Sequence, residues 1–280
     1  MKVTILGSVC IDHNISENIT YTSAGSPAMF ISKIYKNFPN VSTTIISQYG
    51  KDFLQYLSET AVYPREATIP KTLIYQNKAQ GNTRTQKALN TASVKPLPFD
   101  NNIHKILAET DILFFAPITP YYSPEYITEF INNTNNKALK ILLPQGYYRS
   151  FDSNNNVVQR DFTEADIIVP LFDQVIVSEQ DHQDIFAIAE HWSTTTGVIL
   201  TLGDKGSQYV KKDEKISTSV NPVKEEDIID SIGSGDIFSA SFGYKYYLTQ
   251  DIKQSMSFAN NIARQCLFFH PDNLKITFPE

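Results

Sequence analysis

The chain lacks the features of secreted, membrane-spanning and nucleic-acid-binding proteins. It contains only two cysteines, Cys10 and Cys266, which are too few for a disulfide framework. No apolar run reaches the roughly 18 residues of a membrane span, and the first apolar stretch is too short for a secretory leader. The formal net charge of −6 lacks the basic surplus of a phosphate-backbone binder. We therefore expect a cytoplasmic protein that binds neither nucleic acid nor membrane.

The residues that are present predict a folded globular protein. A length of 280 residues, 41% of them apolar, provides a hydrophobic core for one large or two small domains. Aromatic residues make up 12% of the chain and are spread along it, which excludes disorder. The five histidines lack the spacing of a metal site, so we expect them to be structural or surface residues.

Short β-rich apolar runs alternate with helical stretches along most of the chain. The runs predicted to be buried strands are Val3–Val9, Thr43–Ser47, Ile112–Ala116, Ala138–Leu143, Gln174–Val177 and Val198–Thr201. The predicted helices are Pro27–Phe38, Pro124–Asn132, Asp181–Ser193, Gly235–Leu248 and Asp251–Phe268. Such alternation predicts βαβ units and a parallel, doubly wound α/β sheet flanked by helices.

Two segments interrupt this alternation, residues 13–23 and 69–90. Both have the period-two character of strands and lack a helical face. We therefore predict an antiparallel flap that stands off the main sheet. The stretch Ala92–Asn102 contains Pro96 and Pro98 and predicts a connector.

The segment Asp230–Phe242 carries the strongest signal for chemistry. Gly233 and Gly235 flank Ser234 at the start of a predicted helix, and Asp236 lies on its first turn. Such a turn lets several backbone N–H groups converge, and together with the helix dipole they form a site for phosphate oxygens. An aspartate beside that site can accept a proton from a hydroxyl that attacks a phosphoryl group. The alternative is an ordinary helix start at which Asp236 is only a cap.

This segment resembles the late signature of the PfkB/ribokinase family of carbohydrate and nucleoside kinases, Asp-Thr-Thr-Gly-Ala-Gly-Asp-x-Phe. The matching residues are Asp230, Gly233, Gly235, Asp236 and Phe238, and the substituted ones are Ser231, Ile232 and Ser234. Other family-like segments follow in the family's order at Gly7–Asp12, Ala24–Ala28, Gly50–Phe53, Thr201–Gly206 and Asn260. The resemblance implies one ribokinase-like domain over residues 1–280, with a mostly parallel sheet and a small β-lid formed by residues 13–23 and 69–90.

The resemblance also implies roles for individual residues. It makes Asp236 the general base and the N–H groups of Gly233, Ser234 and Gly235 an anion hole. Implied substrate-binding residues are Asp12, Gly25, Ser26, Met29 and Arg84. Implied ATP-binding residues are Ser178, Thr201, Gly203, Gly206 and Asn260. Asp181 would hold Mg²⁺ through a water molecule, and Asp230 would hold a monovalent cation such as K⁺.

The chain departs from the family pattern at three places. Met29 replaces a substrate-binding Asn, Ser178–Asp181 replaces an Asn-x-x-Glu motif, and Ala24 replaces the first glycine of the substrate turn. Met29 and Ser178, together with Phe30–Ser32, resemble the cyclitol kinase branch. Arg84 could meet a charged acceptor or be a solvated lid charge. Arg149, in a Gln-Gly-x-x-Arg segment, could reach a nucleotide or acceptor group or be a surface residue.

The sequence thus predicts an ATP-dependent kinase that phosphorylates a hydroxyl of a small polyol, which is a sugar, a nucleoside or a cyclitol. Lids in this family often pair, so we also expect a homodimer through the lid. The altered residues Met29 and Ser178–Asp181 motivate an alternative, a degenerate member of the same fold that binds ligand without transferring phosphate. Nucleotide binding with unrelated chemistry is a third hypothesis.

Overall fold

The computed structural model describes residues 1–15, 20–59, 61–80, 83–270, 274 and 276–278. The strands are β1 (Lys2–Leu6), β2 (Cys10–Ile15), β3 (Thr20–Gly25), β4 (Ser42–Ile46), β5 (Val62–Tyr63), β6 (Leu73–Gln80), β7 (Thr83–Leu89), β8 (Ile112–Phe115), β9 (Leu139–Leu142), β10 (Arg149–Phe151), β11 (Val157–Gln159), β12 (Gln174–Ser178), β13 (Gly197–Thr201), β14 (Ser207–Lys211) and β15 (Glu214–Thr218). The α-helices are α1 (Pro27–Tyr35), α2 (Asn101–Ala108), α3 (Pro124–Asn133), α4 (Ala165–Ile168), α5 (Ile185–Trp192), α6 (Ser234–Thr249) and α7 (Ile252–Cys266).

The large sheet has nine strands in the order β15-β14-β13-β12-β9-β8-β1-β4-β5. All neighbouring strands are parallel except at one edge, where the pairs β13–β14 and β14–β15 are antiparallel. The predicted doubly wound, mostly parallel α/β sheet is confirmed. Strands β14 and β15 had not been predicted, because their sequences are largely polar and lack a continuous apolar run.

The inner strands of this sheet are largely apolar on both faces because helices cover both. In β8, Ile112 and Phe114 belong to the core cluster under α1, α6 and α7. Their neighbours Leu113 and Phe115 belong to the cluster under α2, α3 and α5. Successive side chains of a strand point to opposite faces, so a continuous apolar run is what a doubly covered strand requires.

A second sheet of four strands, in the order β3-β2-β6-β7, forms the predicted flap. The pairs β2–β3 and β6–β7 are antiparallel, but β2 and β6 run parallel, so the prediction of an entirely antiparallel flap is wrong in that detail. The first predicted strand ends at Leu6, and the chain crosses into this sheet before Cys10. Asp12 therefore lies in the flap and not at the end of the first strand. We call this four-stranded sheet the lid.

A short hairpin formed by β10 and β11 rests against the outer strand of the lid. The backbone N–H of Ala88 in β7 donates to the carbonyl of Asn155 at 2.9 Å, and Lys87 forms an isolated bridge with Asn156. The hairpin therefore covers the backbone groups of an edge strand that would otherwise be open to another chain.

The helix boundaries follow local capping. The sequence predicted a connector up to Asn102, but α2 already begins at Asn101. Asp100 starts the helix by accepting a hydrogen bond from the N–H of Ile103 at 2.8 Å. α5 begins at Ile185 and not at the predicted Asp181. No helix in the described ranges combines the length and apolarity needed to cross a membrane.

Candidate active site

A cavity of about 920 Å³ lies between the lid and the carboxyl ends of several parallel strands. Ile118, Gln145 and Ser178 line it from just after β8, from just after β9 and from the end of β12. Crevices at this edge of a doubly wound sheet are the usual ligand-binding sites of α/β proteins. Asp12 from the lid and Asp236 from α6 line the same cavity.

Asp236 lies in the first turn of α6, where the sequence placed a general base. The pKa of its carboxyl group is raised from 3.8 to about 7, chiefly because the group is buried. The positive charge of Arg149 lowers this pKa, and the negative charges of Asp181 and Asp12 contribute to raising it. A carboxyl group that titrates near neutral pH can both accept and release a proton under physiological conditions.

The turn before Asp236 lines the cavity with Gly233, Ser234 and Gly235. Gly233 has a φ of 78°, and a Cβ atom there would lie 2.5 Å from the Phe30 ring, so the turn requires glycine. At Gly235 a Cβ atom would meet nothing within 4 Å, which leaves that backbone open to a ligand. The N–H of Ser234 already donates to the carbonyl of Ser231 at 3.2 Å. Ser234 therefore differs from the three-donor expectation, because its N–H closes the turn itself.

Asp12 faces this turn from the lid. It is only 7% exposed, and its Oδ1 accepts a hydrogen bond from Cys10 Sγ at 3.3 Å. A Cβ atom on Gly25 would lie 1.9 Å from Asp12 Oδ2, so the glycine makes room for the carboxylate. Gly25 is not itself in the cavity wall. Gly25 was predicted to bind substrate directly, whereas the structure shows it beside Asp12, which lines the cavity.

The start of α1 forms another part of the wall. Ser26 lines the cavity, and its Oγ accepts a hydrogen bond from the N–H of Met29 at 3.4 Å, which caps the helix. Met29 is 1% exposed and belongs to the core, so the expectation that it contacts substrate needs correction. The next residue, Phe30, lines the cavity instead, since successive residues of a helix point in directions about 100° apart.

Arg149 provides positive charge at the cavity wall. Its guanidinium lies over the Tyr75 ring, 5.0 Å from the ring centroid. It lowers the pKa of both Asp181 and Asp236, so all three charged groups act on one another. From the sequence, Arg149 could either reach a ligand or be a surface residue. The fold places it in the wall of the cavity.

The altered motif Ser178–Asp181 forms a compact turn on the cavity wall. Asp181 Oδ2 accepts a hydrogen bond from the N–H of Ser178 at 2.8 Å, and Ser178 Oγ accepts one from Gln180 at 3.2 Å. Burial raises the pKa of Asp181, whereas the Ser178 N–H and Arg149 lower it. The negative charge that the sequence assigned to this motif therefore lies inside the cavity.

The other residues assigned to the nucleotide do not line this cavity. Thr201 ends β13, and Gly203 and Gly206 have φ values of 57° and 96° in the following turn. Asn260 is 7% exposed and donates from Nδ2 to Ser207 Oγ at 3.1 Å and to Thr218 Oγ1 at 2.9 Å. These bonds tie α7 to β14 and β15.

Asp230 and Arg84 were also predicted from the sequence to be site residues. Asp230 Oδ2 accepts a hydrogen bond from the Tyr21 hydroxyl at 3.0 Å, and its Oδ1 accepts one from the N–H of Ile232 at 2.8 Å. The carboxylate proposed for a monovalent cation is therefore used to join the lid to the turn before α6. Arg84 belongs to β7, but its side chain lies outside the described part of the structure.

Several cavity residues had not been singled out from the sequence. They are Tyr75, Asn77, Thr85 and Gln86 of the lid, and Asn156 to Gln159 of the β10–β11 hairpin. The period-two pattern of residues 69–90 predicted strands but did not show which of their faces meets a ligand. The segment that contains Asn156 is polar and has no motif.

Comparisons with known proteins agree with this arrangement. Residues 9–269 match the model of the pfkB family carbohydrate kinases. The fold is similar to a pyrophosphate-dependent kinase of the ribokinase family complexed with a pyrophosphate analog and myo-inositol, with a TM-score of 0.72, 15% identity, and coverage of 95% of this chain and 94% of that chain. No curated protein matches the sequence.

Two further solved structures illustrate the range of this fold. The nucleoside kinase of Methanocaldococcus jannaschii has a TM-score of 0.68 at 17% identity, and the match covers 95% of this chain and 91% of that one. Arabidopsis thaliana ribokinase, complexed with ribose and ATP, has a TM-score of 0.70 at 15% identity, covering 95% and 92%. These identities show the ribokinase-like fold, whereas the family match covers most of the chain. The chain therefore belongs to the pfkB family of carbohydrate kinases, which are phosphotransferases.

Proposed function

We propose that the protein transfers a phosphoryl group from ATP to a hydroxyl of a small polyol, with Asp236 as general base. The observation that carries the proposal is the position of Asp236, whose pKa is about 7, beside the open backbone of Gly235 in one cavity. Asp12, on the opposite wall, provides a carboxylate that can accept hydrogen bonds from other hydroxyls of the acceptor.

In the proposed reaction, Asp236 accepts the proton of the attacking hydroxyl as its oxygen forms a bond to phosphorus. The bond between phosphorus and the leaving oxygen breaks, and the negative charge that develops there is stabilised by the N–H groups of the turn at Gly233 and Gly235. Arg149 adds a positive charge at the same wall. The lid limits access of water, which would otherwise compete with the acceptor for the phosphoryl group.

The charge distribution of the cavity fits Mg²⁺ held chiefly by donor phosphates and water. Among the described residues, no group of three or more His, Cys, Asp or Glu side chains is arranged to hold a metal. Asp181 presents a buried carboxylate to the cavity, with Oδ2 bound to Ser178, and would contact the hydrated ion. Bound Mg²⁺ would neutralise part of the phosphate charge. We retain Asp230 as the proposed site for a monovalent cation, which would compete there with the Tyr21 hydroxyl.

Inorganic pyrophosphate is a second candidate donor. One observation favours it: Asn260, where the family resemblance expects an adenine contact, uses its amide group to bind Ser207 and Thr218 and lies outside the cavity wall. A phosphoryl donor without a nucleobase needs no adenine site. The relative complexed with myo-inositol is itself pyrophosphate-dependent.

The test measures phosphorylated product by mass spectrometry, with Mg²⁺ and K⁺ and a panel of sugars, cyclitols and nucleosides, once with ATP and once with pyrophosphate. We expect one acceptor class to be phosphorylated, and the donor that works identifies the second product as ADP or orthophosphate. An absence of product with both donors, while the ligands still raise the melting temperature, would favour the non-catalytic alternative.

We also propose a homodimer that pairs through the lid. β3 forms one edge of the lid sheet, and an edge strand is a template for pairing with a second chain. Sedimentation velocity over a range of concentrations tests this, and a species that stays monomeric throughout would refute it.

A further inference from the structure

A second cavity, of about 480 Å³, lies beside α4 and α5. Its wall is formed by residues 161–163 and 165–166, by the turn before α5 and by α5 itself. Among the described residues, Tyr148 alone lines both this cavity and the active-site cavity. A volume of this size accommodates a small organic molecule, and the proposed reaction makes no use of it.

The buried part of this wall is aromatic. Tyr148, Phe162 and Trp192 are each no more than 7% exposed. Their rings pack edge to face, with the centroids of Phe162 and Trp192 5.9 Å apart and those of Tyr148 and Phe162 6.3 Å apart. Aromatic side chains in a cavity wall favour an apolar group, and the faces of their rings attract a cation.

The exposed part of the wall is acidic. Asp161, Asp166 and Asp184 line the cavity, and their side chains are 83%, 80% and 66% exposed. Of the lining residues that the structure describes, none is Lys or Arg. Arg160 precedes Asp161 but lies outside the wall, where it pairs with Glu164 at 3.0 Å. The rim of the cavity therefore favours a cation over an anion.

Two histidines orient two of these carboxylates. His182 Nδ1 accepts a hydrogen bond from the N–H of Asp184 at 3.1 Å, so Nε2 carries the ring proton and donates to Asp161 Oδ1 at 3.1 Å. His191 Nε2 lies 2.8 Å from Asp166 Oδ1. Within the described part of the chain, no group binds Oδ2 of Asp161 or of Asp166, so each carboxylate keeps one oxygen for a ligand.

The Tyr148 hydroxyl is a second, independent indication of a ligand. It is buried and has no hydrogen-bond partner among the described residues. Burial is the main cause that raises the pKa of Tyr148, and the negative charges of Asp181 and Asp161 contribute to raising it. The hydroxyl therefore lies close enough to the second cavity to interact with Asp161 in its wall. A buried hydroxyl without a partner is costly, and a polar group of a ligand would remove that cost.

From these observations we infer that the second cavity binds a small organic cation, an ammonium group carried on an apolar ring or chain. The ammonium pairs with Asp161 and Asp166, and the apolar part lies against Phe162 and Trp192. A hydroxyl at the far end of the ligand pairs with the Tyr148 hydroxyl. A bare metal ion does not fit, because the described His and Asp side chains form no group of three that could hold one. The inference is independent of the proposed kinase function.

The test uses the fluorescence of Trp192, which is the only tryptophan of the chain and lines this cavity. The full protein is titrated with cyclohexylmethylamine and with its neutral analogue cyclohexylmethanol, neither of which absorbs where tryptophan does. We expect a saturable change with the amine, whose affinity should be about tenfold higher than that of the alcohol, since it gains two exposed ion pairs. Added salt should weaken binding of the amine and leave that of the alcohol unchanged.

Matched variants locate the amine. The double variant Asp161→Asn, Asp166→Asn removes both charges with little change in shape and should weaken the amine about fivefold to tenfold. Asp213→Asn, at an exposed turn outside the cavity, is the control and should keep the affinity. An amine with a hydroxyl on the opposite ring carbon should bind about 3- to 10-fold tighter than cyclohexylmethylamine, and Tyr148→Phe should abolish this gain.

Three results would overturn the inference. The first is no saturable binding of the amine, and the second is equal affinity for the amine and the alcohol. The third is unchanged affinity of the amine for the double variant, with circular dichroism showing that it is folded, because the amine would then lie elsewhere, as in the acidic active-site cavity. If the added hydroxyl brings no gain, or a gain that persists in Tyr148→Phe, the pairing with Tyr148 is wrong.

Discussion

Replacing Asp236 by Asn should greatly slow catalysis and, at the same time, stabilise the protein above neutral pH. The substitution keeps the size of the side chain but removes the proton acceptor and the buried negative charge. A lost general base lowers turnover by about 100- to 10,000-fold. Because the turn at Gly233–Gly235 is unchanged, binding of the phosphoryl donor should persist.

The gain in stability follows from the pKa of Asp236. In the folded protein this pKa rises from 3.8 to about 7, so between these values the folded state binds more protons than the unfolded state. The free energy of unfolding therefore decreases as the pH rises from about 4 to about 7. A difference of about 3 pH units at about 1.4 kcal/mol per unit corresponds to a ceiling of about 4 kcal/mol.

The assay measures the melting temperature of the protein and of Asp236→Asn from pH 4.5 to 8.5, without ligands. The difference should be smallest at the lowest pH, about 2 °C, and the variant should melt up to about 8 °C higher above pH 7, at roughly 2 °C per kcal/mol for a chain of this size. Asp213→Asn, at an exposed turn, is the control and should follow the unmodified protein. If the melting temperatures of Asp236→Asn and of the unmodified protein differ by the same amount at every pH, the raised pKa is refuted. Undiminished turnover of the variant would refute the role of Asp236 as general base.

The remaining predictions concern neighbouring residues. Arg149→Met removes the charge that lowers the pKa of Asp236, so the acidic limb of the kcat/KM profile should move to higher pH. Gly25→Ala should raise the KM of the acceptor at least about tenfold by displacing Asp12, and an unchanged KM would contradict the steric argument. Gly233→Ala should lower the unfolding free energy by about 1–3 kcal/mol, measured by denaturant titration, because its φ is positive and Phe30 occupies the space. Asn260→Ala should cost about 1–3 kcal/mol of stability and leave turnover with pyrophosphate intact, whereas a selective loss of turnover with ATP would place Asn260 at the nucleotide.

Features that depend on neighbouring residues could be predicted from the amino-acid sequence. Each inner strand of the large sheet is a short apolar run, and the runs at Ile112–Phe115 and Gly197–Thr201 were found within one residue of their ends. The turn at Gly233–Asp236 was evident because its glycines, its acid and the following helix are contiguous. The sequence did not predict α2, because Pro96 and Pro98 indicate a connector and the helix begins only a few residues after them.

Features that depend on distant residues needed the tertiary structure. Asn14, Asn77 and Gln86 form one row only because β2 pairs in parallel with β6, and register between strands so far apart has no local signal. Arg149, Asp236 and Tyr75 line one cavity because the start of β10, the first turn of α6 and the lid strand β6 surround it in the fold. Met29 and Phe30 are both apolar residues of one helix start, and only the packing of α1 sends the first into the core and the second to the cavity. The sequence alone therefore determined the sheet and the turn at Gly233–Asp236, while the surroundings of that turn were decided by tertiary packing.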